Sequence, residues 1–145
     1  MAAKAYPRVE AQVGFAADGR GEGVAYVRVG TRGSADGGPL LLRVRFTTKR
    51  YPALLDREVG YAALSAVARR LLEREICRVA LLVDDRRLVD DFRDRRDVPQ
   101  ALDLAYVRLG CALNQFREYE IGHSPTGSSD LTARARAEVA MHVAA

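Results

Sequence analysis

The stretch VALLVDDRRLVDDFRDRRD, Val79–Asp97, decides how the rest of the chain is read. Its opening, RVALLVDD from Arg78, is apolar without alternation, which suits a strand in the centre of a sheet covered on both faces. RRLVDDFRDRR then carries Leu88, Val89 and Phe92 as a short amphipathic helix. The stretch also holds six aspartates in nineteen residues. Asp90, Asp91, Asp94 and Asp97 are interleaved with arginines at i+3 and i+4 spacing, as in Asp91 to Arg95, and read as a solvated helix surface. Asp84 and Asp85 stand apart because they close the apolar strand.

On the N-terminal side, VEAQVGFAA (residues 9–17) puts Val9, Ala11, Val13, Phe15 and Ala17 on one face, the period of a strand. DGRGEG punctuates it as a tight turn, VAYVRV alternates again from Val24, and GTRGSADGGP leads to a third strand, Leu40 to Thr48. Short connections predict an antiparallel meander. The period then changes: apolar residues at 59, 63, 67 and 71, and at 64 and 72, build one helical face, with Asp56 able to cap its start. On the C-terminal side, Pro99 opens a helix whose stripe runs through Leu102, Tyr106, Leu109 and Leu113. Phe116 to Ile121 alternates as a fifth strand. A last helix from about Ser129 carries Leu131, Ala135, Val139 and Val143.

The order β-β-β-α-β-α-α-β-α predicts an α/β fold, with a mixed five-stranded sheet flanked by helices: a three-strand antiparallel meander plus two parallel strands. The 145 residues, 48% of them hydrophobic, fit a single domain spanning 1–145. A net charge of +4 and a pI near 9.4 make polyanions plausible partners. Cys77 and Cys111 have no Cys or His partner at metal-ligand spacing and read as reduced core thiols. The N-terminus MAAKAYPRVEAQ lacks the apolar region of a signal peptide, and no run reaches the roughly 18 apolar residues of a membrane span. The expectation is a cytoplasmic protein with no membrane partner.

Four acids fall at element junctions: Asp18 after the first strand, Glu58 in the first turn of the first helix, Asp85 after the fourth strand, and Asp130 opening the last helix. Each has a structural reading alone, since Asp-Gly is a common turn pair and acids complement helix N-termini. Four carboxylates held together would instead repel unless divalent cations neutralised them, which is what a two-metal phosphoryl-transfer site requires.

These residues, in this order, resemble ribonuclease H and the wider ribonuclease H-like nuclease superfamily. The resemblance runs from about Val9 to Val143 through FAADGRGEG, REVGYAALSAVARRL, VDDRRLVDDF and SSDLTARARAE. It implies metal-dependent hydrolysis of the RNA strand of an RNA/DNA hybrid. Asp18, Glu58, Asp85 and Asp130 would be ligands to two Mg2+ or Mn2+ ions, with Asp84 the alternative to Asp85. His123, seven residues before Asp130, stands where family members carry a histidine that assists proton transfer or product release; an exposed loop histidine is the other reading. Arg20 and Arg86 replace serines of the family pattern and would face nucleic acid, and the Asn-Pro-Gly element after the first strand is missing. Those departures feed the rival reading, a catalytically impaired ribonuclease H-like nucleic-acid-binding or protein-interaction module. Arg20, Arg32, Arg43 and Arg45 could line a phosphate-binding surface along the hairpins, or be solvated sheet residues.

Overall fold

The computed structural model describes residues 8–31, 40–48, 55–94, 100–124 and 128–144. Five strands form one sheet in the order β3-β2-β1-β4-β5: β1 (Val9–Ala17), β2 (Glu22–Thr31), β3 (Leu40–Thr47), β4 (Arg78–Val83) and β5 (Glu118–His123). β1 pairs antiparallel with β2 from Val9↔Thr31 to Ala17↔Gly23, and β2 pairs antiparallel with β3, so the expected meander is present. β4 runs parallel to β1 through Val9↔Val79 to Val13↔Val83, and parallel to β5 through Arg78↔Glu118 to Val83↔His123.

Alternation along these strands sorts side chains to two faces. Ala11, Val13, Ala25, Val27, Leu81 and Val83 pack against α1 (Leu55–Glu73), α2 (Arg86–Asp94) and α3 (Asp103–Leu113) in the main core. The predicted stripe of α1 is buried: Val59, Ala63, Leu64, Val67 and Leu71 all belong to that core. The opposite face carries Val24 and Tyr26, which pack with Leu131 and Ala135 of α4 (Ser129–Ala144). The stripe predicted for the last helix therefore does cover a sheet face, as far as Val139.

Several boundaries differ from expectation. A 3-10 turn, Gln100–Leu102, precedes α3, so the helix begins at Asp103; Pro99 lies outside the described residues, as do Arg32 and Asp97. β5 begins two residues later than its alternation implied, because Phe116 is buried in the preceding turn, where its N–H donates to the Leu113 carbonyl. The cysteines are free but not core residues: Cys77 is half-buried and Cys111 exposed. The Asp56 side chain lies outside the described residues.

Among the described glycines, the closest packing is at Gly14, where α4 lies on β1. A Cβ at Gly14 would lie 2.1 Å from the Thr132 backbone nitrogen and 2.4 Å from the Leu131 carbonyl carbon. Backbone cannot rotate away as a side chain can, so α4 rests on β1 only because position 14 has no side chain. Gly14→Ala is expected to destabilise the fold by about 1–3 kcal/mol or more, read as a lower urea midpoint with an unchanged slope. A substitution of no effect would show that α4 does not sit at this distance.

Candidate nucleic-acid interface

At the last β1–β4 pair, Val13↔Val83, β4 ends while β1 runs on to Ala17, and α4 packs over β1 and β2. There a cleft of about 720 Å³ opens, with Ala16 and Ala17 on one side, Asp84, Asp85, Arg86 and Arg87 on another, and Thr132 and Arg136 of α4 closing it. Arg57 and Val59 of α1 also reach it.

Asp85 precedes the first residue of α2 and caps that helix. Its Oδ1 accepts the N–H groups of Arg87 at 3.0 Å and Leu88 at 3.3 Å, donors that a helix start leaves without partners. Asp84 is held from the other side, its Oδ2 accepting the Thr132 hydroxyl at 2.9 Å. The Ser128 hydroxyl donates to the Leu82 carbonyl at 3.1 Å. Two bonds from the start of α4 thus reach the end of β4. The His123 Nε2 lies 3.2 Å from the Asp84 carbonyl oxygen, on the exposed rim. Sequence reasoning picked out Asp84, Asp85, His123 and Arg86 here but missed Thr132 and Arg136. Their i, i+4 spacing on the last helix was the available signal, without anything to say which face met the sheet.

The other carboxylates go elsewhere. Asp18 closes the β1–β2 hairpin: its Oδ1 accepts the N–H groups of Arg20 at 2.7 Å and Glu22 at 3.0 Å. The Glu22 bond is the main reason its carboxyl titrates below the ordinary value. Gly21 completes that turn at φ 89°, where a Cβ would lie 2.2 Å from the Thr48 carbonyl oxygen. β1 and β4 are in register at Val13↔Val83. Asp85 is two residues past that pair and Asp18 five, so at about 3.3 Å per residue Asp18 overshoots by about 10 Å. Asp130 turns to the sheet, pairing with Arg28 at 2.6 Å, an interaction that lowers its pKa. Glu58 is only 6% exposed and lines a different cavity, of about 640 Å³, with Arg45, Arg69 and Arg108.

Among the described residues, no three His, Cys, Asp or Glu side chains stand close enough together to hold a metal ion. The gathering of Asp18, Glu58, Asp85 and Asp130 expected from their order is therefore not seen, and the carboxylates that do share the cleft are Asp84 and Asp85. The chemistry around that pair is not that of a two-ion site either. Arg86, Arg87 and Arg136 face it, and one oxygen of each aspartate is already bonded. A pair of Mg2+ or Mn2+ ions does not fit this donor set. Of the hairpin arginines, Arg20 is exposed at the β1–β2 turn, Arg43 pairs with Glu138 of α4, and Arg45 lines the Glu58 cavity.

Asp91 also departs from its expected surface role. It is 5% exposed, and its carboxylate accepts the Arg57 guanidinium at 2.6 Å and the Tyr61 hydroxyl at 2.6 Å. Tyr61 in turn sits edge-on to Phe92 and Tyr106, with centroids 5.8 and 6.1 Å away. This buried group ties α2 to α1 and holds one wall of the cleft.

No protein-family model matches the chain, and no curated protein matches it. Its structure is similar to RNase H1 from the halophilic archaeon Halobacterium salinarum (TM-score 0.66, 20% identity, covering 90% of this chain and 98% of that one). It is similar as well to an N-terminal RNase H domain from Mycobacterium tuberculosis (TM-score 0.68, 17% identity, 94% and 99% covered). A third likeness is to LC11-RNase H1 in complex with an RNA/DNA hybrid (TM-score 0.62, 12% identity, 94% and 99% covered). The chain has the ribonuclease H-like fold.

Burial and the Asp91 bond raise the Tyr61 pKa above its ordinary value of 10.0. The neutral phenol's contribution is then fully present below pH 10 and is lost as pH rises toward the folded-state value. The urea midpoint of the parent is expected to fall above about pH 10 more steeply than that of Tyr61→Phe. Asp91→Ala, which strands Arg57, is expected to cost about 3–5 kcal/mol at neutral pH. Parallel pH curves for parent and Tyr61→Phe would refute this account of the group.

Proposed function

We propose that this ribonuclease H-like protein binds nucleic acid by its backbone, with an RNA/DNA hybrid as the preferred ligand. One observation carries the proposal: the cleft at the carboxyl ends of β1 and β4 presents Arg86, Arg87 and Arg136, from two elements held together by the Thr132–Asp84 bond. Guanidinium groups recognise phosphate oxygens in planar, bidentate fashion and do so independently of base sequence. The net charge of +4 adds a long-range attraction for polyanions. The hybrid is favoured because LC11-RNase H1, a structure of the same fold, is in complex with one.

A second reading is hydrolysis of the hybrid's RNA strand with Mg2+ or Mn2+. What favours it is that Asp84 and Asp85, a carboxylate pair at the end of a central strand, face the same cleft as the arginines.

Both readings meet one experiment. Fluorescence anisotropy with labelled RNA/DNA hybrid, duplex DNA and duplex RNA is expected to show tightest binding of the hybrid. Affinity should fall with salt at a log–log slope of about −0.9 per phosphate contacted, and each of Arg86→Gln and Arg136→Gln should reduce that slope by about 1. No binding of any of the three, or slopes indifferent to both arginines, would refute the proposal. Cleavage of the RNA strand in Mg2+ or Mn2+, abolished by Asp85→Asn, would establish the second reading.

A further inference from the structure

We infer that the cleft holds a phosphodiester through guanidinium groups and without divalent cations, a claim that rests on the nucleic-acid reading above and specifies how that site works. Arg57 is committed to Asp91, so the cleft presents Arg86, Arg87 and Arg136 against Asp84 and Asp85, three positive charges less two negative, or one net positive charge. One phosphodiester, carrying one negative charge, balances that sum. Two divalent cations would add four positive charges beside three guanidiniums with two carboxylates to offset them, and like charges at this range repel.

The carboxylates, moreover, are put to structural use. Asp85 Oδ1 serves two backbone N–H groups of α2, and Asp84 Oδ2 serves the Thr132 hydroxyl. Asp130, which would have to come from α4, is turned to Arg28 on the sheet face. The oxygens left over, Asp85 Oδ2 and Asp84 Oδ1, are two donors where a pair of ions needs many more, and the bonded ones fix the elements that carry the arginines. Asp85 secures the start of α2 and so the placement of Arg86 and Arg87, while Asp84 secures Thr132, one helical turn before Arg136. The aspartates are positioning residues for a cationic cleft.

The sign of one substitution separates this from a metal site. Asp→Asn keeps a good N-cap and so should keep α2, while removing a negative charge from beside the phosphate. In EDTA, the full chain is expected to bind a labelled RNA/DNA hybrid as tightly as in Mg2+, within about twofold. Asp85→Asn should tighten binding and Arg136→Gln weaken it, each by about three- to tenfold at moderate salt. Calorimetric titration of the protein with Mg2+ alone should show no binding. Thermal melting of each variant checks that it is folded, and Asp84→Asn, expected to shift affinity in the same direction as Asp85→Asn, stands in if Asp85→Asn fails to fold. Binding that requires Mg2+, or that Asp85→Asn abolishes in a folded protein, would overturn the inference while leaving the nucleic-acid reading intact. Failure to bind in either buffer would overturn both.

Discussion

α4 can lie on β1 because Gly14 offers it no side chain: a Cβ there would stand 2.1 Å from the Thr132 nitrogen. From that seat follow the two bonds that tie α4 to β4, Ser128 to the Leu82 carbonyl and Thr132 to Asp84. Without the close approach, Arg136 would not stand across from Arg86 and Arg87, and the cleft would be an open sheet end. The second face depends on a different contact. The Arg57–Asp91–Tyr61 group anchors α2 to α1, so the start of α2, where Asp85 caps and Arg86 begins, is held from beneath. Backbone contact on one face and a buried ion pair on the other thus fix the same few residues.

This division gives the aspartates of Val79–Asp97 unlike tasks. Asp84 and Asp85 are at the strand end, as their place in the sequence implied, but they bond to protein donors. Asp91, which the spacing assigned to the solvent, is among the most buried charged groups of the described residues. Burying a carboxylate is costly unless it is paired and hydrogen-bonded, and Arg57 and Tyr61 together supply that. Its position 30 residues from Tyr61 and 34 from Arg57 explains why local spacing pointed only to Arg95.

Periodicity made the fold legible. Alternation in Val9–Ala17 and the stripe through Val59, Ala63, Val67 and Leu71 are direct consequences of burying one face: the stripe is buried, as are Val9, Ala11 and Val13, while Phe15 and Ala17 are half-buried toward the strand end. The antiparallel and parallel halves followed from element order. Of the residues at the cleft, local pattern singled out Asp84, Asp85 and Arg86, with His123 beside them at the Asp84 carbonyl. Whether Asp18 reached the level of Asp85 depended on the β1–β4 register, a tertiary quantity that no local pattern encodes. Glu58 against Arg57 is a matter of 100° around one helix, and that turn sends one to the Arg45–Arg108 cavity and the other to Asp91.

The central claim is that the carboxyl ends of β1 and β4 receive a phosphate backbone directly. A titration of isotope-labelled protein with unlabelled RNA/DNA hybrid in EDTA, followed by amide resonances, tests it residue by residue. The account predicts shifts concentrated at Arg86, Arg87, Thr132 and Arg136, with the outer faces of α1 and α4 unmoved. Shifts confined to the cavity of Arg45, Arg69 and Arg108, or shifts that appear only once Mg2+ is added, would contradict it.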